Sequence, residues 1–441
     1  PSCEARDELT AILVLYRERG EESNLAQRAS VYRDWKQGAM SRAALAQRVH
    51  HQVKRLLDLA TQYGFDENLW QDYLTFLLLT TENSFSLTAE RVGVSDGSIL
   101  HFAMADLAVF RRLFCWDFAS FEAALGLDCF QVLTHYRAIA KPEKSYYRSV
   151  SALVRKTSRA LAQSESTEAF FRIVTTCYRD YGVGMFGLNR AFRIRSGADG
   201  GVTFLPINNT DKTMLSDLVG YELQKRELVR NTEAFLRGQP ANNVLLYGDA
   251  GTGKSSCVKA LLNEYYDDGL RMIEIYKHQF HDLSAVIAAI KQRHYRFIIY
   301  IDDLSFEESE MEYKFLKAVI EGGVETRPDN ILIYATSNRR HLVQETWKDR
   351  DDMETRGDIH HSDTMEEKLS LSARFGVTIN FSIPNRQQYH EIVQALAARQ
   401  LPRPMDEAEL LRLADRWEIR HGGVSGRTAQ QFVHYLEGLE T

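Results

Sequence analysis

The chain has 441 residues, 44% of them hydrophobic and 26% charged, with a formal net charge of -6. That apolar fraction supports packed cores and excludes a largely disordered chain, while 8 prolines and 26 glycines exclude collagen-like and low-complexity classes. At roughly 100–200 residues per domain the length predicts two or three domains, and 54 basic against 60 acidic residues give no global pull toward nucleic acid or an anionic membrane.

From the N-terminus, residues 9–19, 43–63, 68–80, 98–118, 121–140, 145–163 and 167–181 carry apolar side chains every three or four positions, which predicts helices. Ser41, Ser145 and Thr167 are the expected N-caps. Residues 1–206 hold 25 basic and 23 acidic groups, so the negative charge lies in the remainder. Within the helical part, Tyr146, Tyr147, Arg148, Arg155, Lys156 and Arg159 form a basic, aromatic stretch. It reads either as a solvated helix face or as a contact for nucleic acid or an acidic partner. Domain boundaries are expected at 1–190 for this helical part and 191–207 for a connector. The connector is a β-hairpin, because residues 192–195 and 202–207 switch to period-two alternation around a turn cluster.

From residue 208 short apolar strands (244–247, 271–276, 297–301, 331–335, 377–381) alternate with helices (217–237, 254–266, 282–291, 310–321, 364–371). Such alternation predicts a mostly parallel sheet covered on both faces, over 208–383. Helices at 386–399, 406–420 and 425–440 form a cap over 384–441.

Five cysteines (Cys3, Cys115, Cys129, Cys177, Cys257) are odd in number and never spaced C-x-x-C, as expected for small buried hydrophobes in a reducing compartment. Pro1-Ser2-Cys3-Glu4-Ala5-Arg6 lacks the apolar core of a signal peptide. No apolar run approaches the roughly 20 residues of a membrane span. A cytoplasmic location without membrane partners is therefore expected, where the sequon-like Asn208-Asn209-Thr210 has no meaning.

The chemistry sits at the ends of the strands. Gly248-Asp249-Ala250-Gly251-Thr252-Gly253-Lys254-Ser255 matches GxxxxGK[ST], follows a predicted strand and opens a predicted helix. Glycines let backbone N–H groups wrap phosphates, Lys254 reaches the β- and γ-phosphates and Ser255 ligates Mg²⁺, with Ser256 completing the nucleotide-binding stretch. The strand at 297–301 ends in Asp302 and Asp303. Asp302 is placed to hold Mg²⁺ and Asp303 to polarise an attacking water. The strand at 331–335 leads to Thr336-Ser337-Asn338, where Asn338 either orients that water or simply starts a turn.

Order and spacing of these motifs, with Ser372-Ala373-Arg374-Phe375 and Gly426-Arg427 after them, resemble the AAA+ ATPases. Stretches 242–255, 302–308, 335–342 and 368–376 resemble more closely a bacterial AAA+ family, domain of unknown function 815. The resemblance spans about residues 207–441. It implies a P-loop NTPase core of AAA+ type, a helical lid, and a mainly α N-terminal domain that selects a partner. It further implies ATP and Mg²⁺ as cofactors, an adenine pocket at Val219 and Gly220, sensor residues at Asn338 and Arg427, and an arginine finger at Arg374 serving a neighbouring subunit. A homo-oligomer, six-membered in much of the superfamily, follows from a shared site. The implied activity is ATP hydrolysis coupled to remodelling a protein or nucleic-acid partner. The alternative is an ATP-gated switch or loader with slow or no hydrolysis, because Asp303 stands where hydrolytic relatives more often have Glu. Arg374 can otherwise pair with Glu366 or Glu367, and Arg427 can face solvent. The long charged segment 339–371, with His360-His361-Ser362-Asp363, reads as an interface loop or, less simply, a metal site.

Overall fold

A computed structural model describes residues 41–94, 97–119, 122–123, 126–139, 147–197, 201–208, 210–306, 312–321, 328–339, 342 and 371–440. The predicted helix at 9–19, all of the predicted helix at 364–371 but its last residue, Ser145, Tyr146, Glu366, Glu367 and the histidine-rich segment lie outside the described residues. The chain divides into two compact units, Pro1–Asn189 and Arg190–Thr441.

The first unit is helical: α1 Arg42–Tyr63, α2 Leu69–Thr80, α3 Ser84–Val92, α4 Ser98–Phe114, α5 Cys129–Thr134, α6 Arg148–Ala162, α7 Thr167–Tyr181 and α8 Gly184–Leu188. Ser41 caps α1 by accepting from the Ala44 N–H at 3.2 Å. The cap of α7 is Ser166, which accepts from the Ala169 N–H, so Thr167 is the first helical residue instead of the cap. Helix α3 went unpredicted; Asn83 starts it with a capping box closed by Ser86. The stretch 121–140 is not one helix, since only α5 is continuous there. Phe65, Leu74, Phe114, Val154 and Phe170 form the core. Polar groups inside it are largely answered: the Trp70 indole N–H donates to the Leu113 carbonyl at 2.7 Å, and the Tyr178 hydroxyl to Leu78 at 2.8 Å.

The second unit holds a seven-stranded sheet of order β2-β1-β4-β5-β6-β3-β7. Its strands are β1 Ala191–Ser196, β2 Val202–Pro206, β3 Val244–Gly248, β4 Leu270–Glu274, β5 Arg296–Ile301, β6 Ile331–Ser337 and β7 Val377–Phe381. Only the β1–β2 pair is antiparallel. The hairpin is therefore more than a connector: β1 pairs in parallel with β4 through Phe192 and Ile273, extending the sheet at its edge. Connecting helices are α9 Glu222–Leu236, α10 Lys254–Tyr265, α11 Leu283–Ile290 and α12 Glu312–Glu321. Central strands β5 and β6 are buried on both faces, which is why their sequences read as continuous apolar runs. Tyr334 is fully buried in β6, and its hydroxyl is answered by Thr232 at 2.8 Å and Asn231 at 3.0 Å.

Helices α13 Arg386–Gln400, α14 Glu407–Arg420 and α15 Gly426–Glu440 close the chain around Tyr389, Val393, Ala414, Phe432 and Val433. Asn385 starts α13 with a capping box to Gln388, and Asp406 caps α14. The strand order β4-β5-β6-β3-β7, with the glycine-rich loop after β3 and a helical lid, is the AAA+ type of P-loop core. No helix among the described residues is long and apolar enough to cross a membrane.

Candidate functional site

Register places the chemistry. Tyr247 of β3 faces Ser337 of β6, and Ile301 of β5 faces Ala335, so the residues just beyond these pairs meet at the carboxyl ends of the strands. That edge is where parallel α/β sheets carry ligands. A cleft of about 1010 Å³ opens there, walled by Val219, Gly220, Gly251 to Ser256, Asp302, Asp303, Thr336 and Asn338 from the core and by Ile392, Leu396, Arg399 and Arg427 from the lid.

Gly251 and Gly253 hold φ of 77° and 90°, a region favouring glycine, and let the loop turn into α10 at Lys254. Lys254 is buried, and its ammonium donates to the carbonyls of Gly248 (2.9 Å) and Asp249 (2.6 Å) and to Asn338 Oδ1 (3.2 Å). Burial pushes this ammonium below the usual lysine range, against the pull of Asp249, Asp303 and Asp302. Ser255 and Thr336 both donate to Asp302 Oδ1, at 2.7 and 2.6 Å. Desolvation alone would raise the Asp302 carboxyl, but the hydroxyls around it, Thr336 first, outweigh it and keep the group below the usual aspartate range. Asp303 sits in left-handed backbone at φ 50°, and its carboxylate accepts from Asn338 Nδ2 at 2.8 Å.

Not every expected residue faces the cleft. Gly248, Asp249 and Ala250 do not line it. The Asp249 carboxylate instead accepts from the Ile383 N–H at 2.9 Å and braces the loop against the segment after β7. Arg427 does reach the cleft, and its backbone N–H donates to the Gly251 carbonyl at 3.2 Å, joining lid to loop. A second clasp comes from Arg399, whose guanidinium donates to the carbonyls of Ser216 (2.9 Å) and Asp217 (3.1 Å) and to the Asp217 carboxylate (3.0 Å). Arg374 does not line the cleft and pairs with Glu321 of α12, a partner not foreseen. The sequence alone assigns no role to Thr336 or to Arg399. Aligning the strand ends in register would have found the first; the second bonds across 182 residues of chain.

The residues present fit a Mg-nucleotide. The loop is a cradle of positive-φ glycines, Lys254 sits beneath it, and hard oxygen donors Ser255 and Asp302 converge beside it. The Tyr300 hydroxyl is buried next to Asp302, Ser255 and Thr336. Among the described residues no group of three or more His, Cys, Asp or Glu is placed to hold a metal ion.

In the first unit the basic stretch is engaged locally. Arg155 and Arg159 both pair with Glu67, at 3.1 and 2.6 Å, and Lys156 donates to the Tyr181 hydroxyl. Tyr147 packs on Tyr63.

A family model described as "Protein of unknown function (DUF815)" matches residues 188–440, more than half of the chain. The chain belongs to that family. Outside the family, it is 39% identical over 62 residues to the replication factor C large subunit of Staphylothermus marinus, covering 14% of each chain. It is 26% identical over 219 residues to the human ATPase family gene 2 protein homolog A, covering 46% of this chain and 21% of that protein. The matches thus span about a fifth or less of these curated relatives. Among solved structures, the Thermotoga maritima RuvB Holliday junction branch migration motor aligns at 15% identity and a TM-score of 0.37, over 52% of this chain and 65% of that one.

Proposed function

We propose that this DUF815 member binds Mg-ATP in the cleft, hydrolyses it, and couples turnover to remodelling a protein or nucleic-acid partner. The observation that carries the reading is Asn338, which accepts from Lys254 and donates to Asp303, joining a phosphate-binding cation to a carboxylate placed for proton abstraction. Gly251 to Ser256, Val219, Gly220 and Arg427 hold the nucleotide in this reading, and Ser255 and Asp302 hold Mg²⁺. When bound, the ion neutralises charge on the phosphates. Asp303 takes the proton of the attacking water, and Asn338 orients that water. Arg374, which does not line its own cleft, serves a neighbouring subunit in this reading, which makes the working form a homo-oligomer.

A second reading has one observation in its favour. Asp303 is a methylene shorter than a glutamate and its carboxylate is engaged by Asn338, as suits an ATP-gated switch with little turnover. Steady-state phosphate release with Lys254→Ala and Asp303→Asn decides between them. Hydrolysis predicts that the first loses binding and turnover, and that the second keeps binding and loses turnover. Turnover that survives both variants overturns the reading; tight binding without turnover in the unaltered chain establishes the switch.

A further inference from the structure

Three consecutive residues after β5 wrap around one residue of β6. Asp302 accepts from the Thr336 hydroxyl at 2.6 Å, the Asp303 N–H donates to that same hydroxyl oxygen at 3.0 Å, and the Leu304 N–H donates to the Thr336 carbonyl at 2.7 Å. Thr336 is almost wholly buried and holds from beneath two aspartates that are themselves exposed to the cleft. A hydroxyl has one proton to give and lone pairs to receive with. Here the proton goes to Asp302 and a lone pair takes the Asp303 N–H, so each bond fixes the direction of the other.

Asp303 needs that direction. Left-handed backbone is unfavourable for a non-glycine residue, and a hydrogen bond to its N–H offsets this. With φ at 50° the Asp303 carboxylate lies within reach of Asn338. Asp302 meanwhile receives Ser255 and Thr336 on one oxygen, Oδ1.

We propose that Thr336 is a positioning residue for the hydrolytic site, setting the Asp302 carboxylate toward the Mg²⁺ position and the Asp303 carboxylate toward Asn338 through a single hydroxyl. This rests on the function proposed above. Valine is the informative replacement, because it keeps the shape and β preference of threonine and exchanges the hydroxyl for a methyl group. The Leu304 bond to the backbone carbonyl survives the change.

The experiment measures binding of a fluorescent ATP analogue to the full chain, with and without Mg²⁺, alongside ATP turnover. In Thr336→Val, kcat falls about 100-fold. The Mg²⁺ needed for half-maximal analogue binding rises about 10-fold, the effect of removing a group that orients a metal ligand. Analogue binding without Mg²⁺ stays unchanged, and Thr336→Ser restores both properties. Thermal melting checks folding, with Thr336→Ala as a second hydroxyl-free variant. Unaltered Mg²⁺ dependence and kcat in Thr336→Val overturn this proposal alone, as does Thr336→Ser failing like valine. An unaltered chain that binds no analogue overturns the functional reading, and this proposal with it.

Discussion

Asn338 stands 2.8 Å from the Asp303 carboxylate through its amide nitrogen, while its amide oxygen receives the Lys254 ammonium. One side chain thus holds the proposed base and the proposed phosphate-binding cation in a fixed relation. Replacing it by alanine leaves both charged groups without their bridge but leaves the glycine loop intact. Asn338→Ala is expected to lower kcat about 100-fold and to keep nucleotide affinity near that of the unaltered chain. Parallel titrations of binding and turnover check this.

Arg374 pairs with Glu321 and not with anything lining its own cleft. If it serves a neighbour, Arg374→Ala and Lys254→Ala chains are each inactive alone. Mixed together they regain part of the turnover, because a site can combine Lys254 from one chain with Arg374 from the other. Failure of the mixture to exceed the sum of its components, with co-assembly confirmed by light scattering, removes the shared-site assignment.

Asp72 is a carboxyl buried in α2 of the helical unit, and one of its oxygens has no hydrogen bond among the described residues. Burial pushes its pKa up to about 6, and Ser158 and Arg155 pull it only partly back. The folded unit therefore keeps a proton that the unfolded chain, titrating near ~3.9, has already released. Its contribution to stability is full below that unfolded value and is lost as pH rises through about 6. Asp72→Asn should raise the melting temperature of this unit at pH 8 and flatten its pH dependence between about 4 and 6, followed by tryptophan fluorescence through Trp70. A melting temperature at pH 8 no higher than that of the parent contradicts the assignment.

Gly248 ends β3 at φ 131°, and a Cβ there would run into the Phe381 carbonyl of β7. Gly269 has a positive φ of 89° as well, but a Cβ there meets nothing within 4 Å. Gly248→Ala should therefore cost at least about 3 kcal/mol, strain and collision together, and Gly269→Ala only about 1 kcal/mol. Hydrogen exchange of the β3 and β7 amides reads the difference locally.

Local pattern by itself determined the helical first unit, the order of strands and helices after residue 208, the glycine loop and the two aspartates ending β5. Each is written in a short window: period 3.6, an apolar run ending in charge, glycines at fixed spacing. Tertiary structure alone decided what joins residues far apart. Register between β5 and β6 brings Thr336 against Asp302 across 34 residues of chain, and Arg399 crosses 182 to clasp Asp217. The hairpin's own alternation marks two strands, yet only the free edge of β4 makes them part of the sheet. Hydrophobic period encodes which face of an element is buried, and it carries no term for the partner that buries it. The cleft's walls are written in the sequence, and the geometry between them is set by strand pairing.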